Sequence, residues 1–514
     1  MVNRVGREIP EEIPGYGRTV PFSGGFAAPP EGAVRCAPPG KIERPGERKV
    51  VESLDEVFRR IPVTDGMTLS FHHHFRDGDR VVNLVLATAA RMGLRNLKVA
   101  LSAVFPVHAP LIDHVKTGVV TGLDTNYITG PVAEAVSQGL FPRPVVLRTH
   151  GGRAGAIECG RLPIDVAFIA APAADDYGNV NGVTGPSACG SLGYAFPDAE
   201  YARFVVAVTP LLAPYPLTPM SIDQTRVDYV VKVDDVGDPK GIVSGTTRMT
   251  ADPVKLSMAQ TVAQVIQAAG LIKDGFSFQT GAGGASLAAA HFVAEMMQER
   301  RAVGSFLLGG ITGQMAEMLE RGLFAKILDV QDFDPAAVRS LAANRDHVEI
   351  GAGFYASPFN AGCAVNRLDC VVLGATEIDT DFNVNVATGS DGRVRGGSGG
   401  HSDTAAGASL TVIVAELVRG KFPIIRDRVL TVTTPGESVD LLVTDMGVAV
   451  NPARPDLLDR LKDARLPVNE IRDLEEAARR AAGDPPAPAG DGRIVAVVEY
   501  RNGSVIDVIR QAAG

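Results

Sequence analysis

Short continuous apolar runs punctuate the chain, separated by stretches with helical spacing. Met67-Thr-Leu-Ser-Phe71 alternates as a strand does, while Asp165-Val-Ala-Phe-Ile-Ala170, Val303 to Leu308 and Asp369-Cys-Val-Val-Leu-Gly374 are apolar almost throughout. Between them, Val81 to Met92 and Leu287 to Met297 carry the period of helices. Apolar strands alternating with helices predict mainly parallel sheets covered on both faces. In such sheets ligands bind beyond the carboxyl ends of the strands, so chemistry is expected in the loops there. Val50, Val51, Leu54, Val57 and Phe58 open the ordered region at helical spacing up to Ile61.

The pattern occurs twice. Ile128 to Phe141 (ITGPVAEAVSQGLF) and Ile311 to Phe324 (ITGQMAEMLERGLF) are identical at 8 of 14 positions. Asp65-Gly66 leads into one strand and Asp274-Gly275 into another. Each apolar strand with an Asp near its start is followed by Asn-Val-Asn, at Asn179 to Asn181 and Asn383 to Asn385. A glycine-rich loop comes next, Cys189-Gly-Ser-Leu-Gly193 in one copy and Gly396-Gly-Ser-Gly-Gly400 in the other. Landmarks recurring in order imply two homologous α/β domains in tandem, expected at 49–250 and 251–453. Residues 1–48, rich in Pro and Gly, read as an extended arm on the body or on a partner. Residues 454–514 read as a helical segment, a linker and a β-hairpin turning at Asn502-Gly503, expected against the second domain or a partner.

Composition narrows the class. Fifty basic and fifty-nine acidic side chains give a net charge of −9 over 514 residues, so no basic field for nucleic acid is implied. No apolar run approaches the ~18 residues of a membrane span, and the first residues lack the apolar core of a signal peptide. Five scattered cysteines with no C-x-x-C pair fit a reducing cytoplasm and argue against disulfides or structural zinc. Cys189, with no His near it in sequence, reads as inert packing.

Leu308-Gly-Gly-Ile-Thr-Gly313 reads as a strand breaking into a turn that opens a helix, where free backbone N–H groups can hold an anion or oxyanion. Thr280-Gly-Ala-Gly-Gly-Ala-Ser286 has the same character.

DVAFIAAPAADDYGNVN (Asp165 to Asn181) and VVLGATEIDTDFNVN followed by GGSGGHSD (Val371 to Asp403) resemble segments of the coenzyme A transferases. From about Val51 to Asp507 the chain resembles the α-subunit family of bacterial citrate lyase, through SFHHHFRDGD, HGGR, CGSLGYA, VKVDDVGD, TRMT, TGAGGASLA, LGGITG, LDVQDFD, EIDTDFNVNVATGSDG, GGSGGHSDTA and VAVNPARP. The fold implied is a pair of CoA-transferase-like α/β domains. The implied activity exchanges acetyl for citryl on an acyl-carrier thioester, releasing acetate, with acetyl-CoA as surrogate. The implied setting is a hetero-oligomer with a lyase (beta) subunit and a small acyl-carrier (gamma) subunit bearing a coenzyme-A-derived, phosphopantetheine-type arm, with no metal in this subunit. Relatives in the wider superfamily use a glutamate nucleophile where this chain has Leu308. A citrate carboxylate can instead attack the acetyl thioester to give a mixed anhydride, proximity replacing a covalent relay. The alternatives are a malonate-decarboxylase type of carrier transferase, or an ordinary CoA-transferase forming a glutamyl thioester, for which Glu377 is the nearest carboxylate.

On this reading Gly283, Gly284, Gly309 and Gly310 offer amides to the oxyanion. His73 or His74 contacts substrate or oxyanion; adjacent histidines on a strand face opposite ways and complete no metal set. Arg76, His150, Arg153, Arg248 and Arg395 are candidates for citrate carboxylates, and Arg148 is another. Gly281, Ser286, Gly397, Gly399 and Gly400 are expected along the carrier arm, where small residues allow close approach.

Overall fold

A computed structural model describes residues 1–30, 32–41, 46–243, 250–281, 283–484 and 492–512. Two parallel sheets dominate. In the first, seven strands run in the order Val145–Leu147, Val120–Thr125, Leu97–Leu101, Thr68–Phe71, Val166–Ala170, Phe204–Thr209, Tyr229–Lys232. In the second, the order is His347–Glu349, Phe324–Asp332, Gly304–Ile311, Phe278–Thr280, Cys370–Gly374, Leu410–Val414, Leu441–Thr444. Numbered along the chain, both read 4-3-2-1-5-6-7, and all these strands pair in parallel. The inner strands are buried along their whole length, as in Val166–Ala170 and Leu410–Val414, because helices cover both faces.

Matching side chains secure the two copies. Asp165 accepts a hydrogen bond from the Thr68 amide at 2.8 Å, and Asp369 accepts one from the Ser277 amide at 2.8 Å, each fixing the start of strand 1 against strand 5. The Asp ahead of each Asn-Val-Asn closes its own turn: Asp175 accepts from the amides of Tyr177, Gly178 and Asn179, and Asp379 from those of Asp381 and Asn383.

Three features depart from expectation. The ITG elements are not equivalent: Ile128 follows strand 3 of the first sheet, whereas Ile311 ends strand 2 of the second. Strand 2 of the second sheet does not stop at Leu308 but runs on to Ile311, with a register shift between Gly309 and Gly310. The C-terminal hairpin, Ile494–Glu499 with Val505–Arg510, does not join the second sheet; it pairs in parallel with Val145–Leu147 and extends the first sheet, while Asp507 accepts from the Val432 amide of the second half at 2.8 Å. The preceding helices Pro455–Asp463 and Ile471–Ala482 do lie on the second half.

The N-terminal arm lies on the body. Ile9 and Ile13 pack with Val497, Val505 and Val508 of the hairpin, and Arg7 pairs with the buried Asp507 at 2.8 Å. Among the described residues no helix is long and apolar enough to cross a membrane.

Candidate active site

A cavity of about 680 Å³ opens where the carboxyl ends of both sets of strands meet. From the first half, strand 1 delivers His73 and Arg76, and His150 begins the helix after strand 4. The rings of His73, His150 and Tyr194 pack face to face or tilted, with centroids 4.7, 5.5 and 4.4 Å apart. The Nδ1 of His73 is 2.6 Å from the Ser102 hydroxyl. Burial, reinforced by His150 and Arg76, drives the His73 pKa well below its ordinary value; burial with Arg153 and Arg76 takes His150 to about 3. Both imidazoles are therefore neutral at physiological pH and serve as hydrogen-bonding groups, not cations.

Arg76 is the fixed positive charge. Its guanidinium lies 4.8 Å from the Phe105 centroid and 5.1 Å from that of Phe333, one aromatic ring from each half. Burial lowers its pKa to about 10, still fully protonated at neutral pH. Its φ of 53° places the backbone in the left-handed region, a strained conformation for a long side chain.

From the second half come Gly281, Gly283, Gly284, Ser286 and Gly310, all lining the cavity. Four helices begin near this level, and their N-termini differ; the short helix His401–Gly407, with Gly400 at its cap, has no side-chain capping bond. Helix His150–Glu158 is capped by Thr149, and Asp403 accepts from the Gly151 amide at 2.8 Å. Helix Gly313–Glu320 is capped by Thr312, and Asp334 accepts from the Gly313 amide. Helix Gly284–Arg300 has glycine at its cap and no side-chain capping bond, so its first turn faces the cavity. The anion cradle expected at Gly313 is thus filled by the chain's own carboxylate, and the long helix left open is the one at Gly284.

The other expected residues divide. Gly397, Gly399 and Gly400 form a wall between the halves: Gly399 accepts from the His150 amide at 2.7 Å, and a Cβ on Gly397 would lie 2.4 Å from the Asn126 carbonyl oxygen. Arg395 reaches the rim, largely exposed and paired with Asp391 at 2.6 Å. His74 turns away, its Nε2 2.6 Å from the Ala170 carbonyl oxygen. Arg153 is also outside the lining; it makes two 2.8 Å bonds to the buried Asp198, near which His72 also sits. Burial pushes the Asp198 carboxyl up, but Arg153 and His72 outweigh it and hold the group far below the usual range. Gly309 does not line the cavity; its φ of 98° and the Gln279 side chain, 2.6 Å from where a Cβ would be, demand glycine there. Arg248 lies outside the described residues. Arg148 is enclosed by Asp124 and Glu499.

The model of the family described as citrate lyase, alpha subunit, matches residues 47–512. The chain belongs to this citrate lyase alpha-subunit family. It is an enzyme of the transferase class, as its motifs implied. The citrate lyase alpha chain of Escherichia coli is 52% identical over 471 residues, 92% of each chain; that of Klebsiella pneumoniae is 51% identical, covering 90% and 92%. The alpha subunit of citrate lyase from Streptococcus mutans, crystallised with citrate, superposes with a TM-score of 0.95 at 48% identity and full coverage of both chains. A malonate decarboxylase alpha subunit from Acinetobacter baumannii shares the fold, with a TM-score of 0.63 at 17% identity, covering 85% and 93%.

Against this citrate lyase background, the carboxylates are instructive. Glu377 does not line the cavity: it is buried and accepts from Arg426, Ser390 (2.7 Å), Asn385 (2.9 Å) and the Leu430 amide (3.0 Å). Leu308 is fully buried in a cluster with Tyr194, Val330 and Tyr355. Among the described lining residues the one acid is Glu416, 3.5 Å from Lys255. Burial raises the Cys189 thiol well above its usual pKa, leaving it inert.

The motif reading passed over Tyr194, Gln331, Tyr355 and Gln279, all of which line the cavity. Tyr194 and Gln331 sit inside CGSLGYA and LDVQDFD, so their signal was a polar or aromatic residue just past a glycine loop or at a strand end. Gln279 donates to the Tyr355 hydroxyl at 2.9 Å, while its Oε1, the Thr280 hydroxyl and His150 Nδ1 are buried without a hydrogen-bond partner. Such atoms call for a polar ligand.

Proposed function

We propose that the cavity binds citrate beside an acyl-carrier thioester and transfers the carrier from acetyl to citryl through a mixed anhydride, with no enzyme-bound intermediate. The observation that carries this reading is the pairing of a buried cation, Arg76, with the uncapped start of the long helix at Gly284, in a cavity whose one acid among the described lining residues is already paired. Arg76 pairs with a citrate carboxylate, and neutral His73 and His150 hydrogen-bond to the others. A free citrate carboxylate attacks the acetyl carbonyl. The oxyanion forms against the amides at the head of helix Gly284–Arg300, and the carrier thiolate leaves. That thiolate attacks the citryl carbonyl of the anhydride, and acetate departs.

The glycine wall at 396–400 provides room for the carrier's pantetheine arm, and Arg395, Lys255 and Arg419 at the cavity edge suit its phosphates. In this reading the chain works in the cytoplasm, in a hetero-oligomer with a lyase subunit and a small carrier subunit. The segments 49–250 and 251–453 act as two domains sharing one site.

The test uses the purified full chain with acetyl-CoA. Rapid formation of citryl-CoA from citrate, little product from malonate, and no adduct after borohydride are the expected results. A glutamyl adduct would replace the mixed anhydride with a covalent relay, and preference for malonate would reassign the acceptor.

A further inference from the structure

Behind the cavity floor, where the end of strand Phe324–Asp332 meets strand His347–Glu349, three ligand-type side chains converge. We propose that Asp329, Asp332 and His347 form a buried site for one divalent cation with a taste for mixed nitrogen and oxygen donors, Zn²⁺ or Mn²⁺.

One oxygen of each aspartate and one ring nitrogen of His347 lie within 4.8 Å of one another, and His347 Nε2 is 3.2 Å from Asp329 Oδ2. The other atoms of these groups are already engaged. Asp329 Oδ1 accepts from the Gln331 amide at 2.7 Å, Asp332 Oδ2 from the Ser191 amide at 2.8 Å, and His347 Nδ1 is 3.0 Å from the Ser340 hydroxyl. That leaves Asp329 Oδ2, Asp332 Oδ1 and His347 Nε2 as the inward-facing set. Asp332 Oδ1, on a residue with no exposed surface, has no hydrogen-bond partner, which is the independent sign that something else belongs there.

Two carboxylates sealed from water against each other must share a proton or hold a cation between them; burial raises the pKa of both. Glu349, on the next strand, adds a third negative group to the surroundings; the other wall is the Cys189–Leu192 loop of the first half. Ser340 can accept a proton from Nδ1, which leaves Nε2 as the metal-facing nitrogen, the usual outer support of a histidine ligand. A cation here would tie strand 3 of the second half to the first-half loop that carries Tyr194, one residue from Gln331. Gln331 itself reaches across to the His73 carbonyl oxygen at 2.9 Å. Its role is therefore structural, bracing the cavity without touching substrate.

The experiment is elemental analysis of the full-length protein after long dialysis against a chelator, then after unfolding and refolding in that chelator, followed by titration with ZnCl₂ or MnCl₂. The expected results are one equivalent of cation retained in the native state because the site is sealed, its loss on refolding with a lower melting temperature, and recovery of both on adding one of the two metals. Asp332→Asn and His347→Gln should lose the equivalent. The milder Ser340→Ala, less prone to misfolding, should weaken binding about tenfold. A native protein that carries no stoichiometric cation, with a refolded form that melts identically with and without either metal, would overturn the proposal in favour of a shared proton. A His347→Gln protein that keeps its equivalent would overturn it too.

Discussion

The two sheets share one order over seven parallel strands and the same aspartate clasp at strand 1, yet their loops contribute different chemistry. The first half supplies side chains: Arg76, His73, His150 and Tyr194. The second supplies backbone: the open start of helix Gly284–Arg300 and the glycine wall at 396–400. In a duplicated fold the sheets are held alike by packing, while the carboxyl-end loops are free to diverge. The division suits a substrate with several carboxylates facing a thioester on a long thin arm.

Breaking the first half's contribution should have the largest effect. Arg76→Ala removes the buried cation, and kcat/KM for citrate should fall by about a thousandfold, on the order of 4 kcal/mol; a small change would move citrate recognition elsewhere. The second half can be disabled by making its open helix resemble the two filled ones. Gly283 has extended backbone with room for a Cβ, so Gly283→Asp should place a capping carboxylate there. Melting should show about 1 kcal/mol of added stability, while transfer drops about a hundredfold. Stability without loss of rate would separate the helix start from the chemistry.

A third prediction compares one buried histidine from each half. Burial holds His74 and His401 at about 4, against 6.5 in the unfolded chain. Folding therefore excludes their protons: the stability each contributes is complete above pH 6.5 and is lost as pH falls through about 4. Each accounts for at most about 3 kcal/mol of the acid loss. His74→Asn and His401→Asn should each flatten the fall in unfolding free energy between pH 6.5 and 4, by similar amounts. The smallest effects belong to the clasps: Asp165→Asn and Asp369→Asn should each cost about 1–2 kcal/mol in denaturant unfolding, and unequal losses would show the copies are secured differently.

Much of this was legible in the chain. Apolar runs marked the central strands of both sheets because parallel strands are buried on both faces, and Asp165 and Asp369 flagged the twin strands. The ITG match misled because its shared letters record a local design: a helix begun after a strand and stopped by glycine, at Gly139 and Gly322, both with positive φ. Such a design can follow any strand, so it does not report which one. Glycines at 309 and 310 looked like a turn but form a bulge inside a strand, a distinction set by the neighbouring strand. His74 and Arg153 were indistinguishable from site residues because their partners, Ala170 and Asp198, are far along the sequence. Conversely, nothing local reveals that the N-terminus of helix 313–320 is plugged by Asp334 while that of helix 284–300 stays open.

The C-terminal hairpin has one more consequence. The chain builds the first sheet, leaves to build the second, then returns to knit its last two strands onto the outer edge of the first. The molecule is therefore a closed circuit, with the covalent chain crossing between the halves twice. Wide separation of the halves would strain both crossings or peel the hairpin away, baring the backbone edge of Val145–Leu147 to any passing strand. A substrate entering the cavity meets a vessel strapped from outside, in which small loop movements remain possible and wholesale opening is restrained.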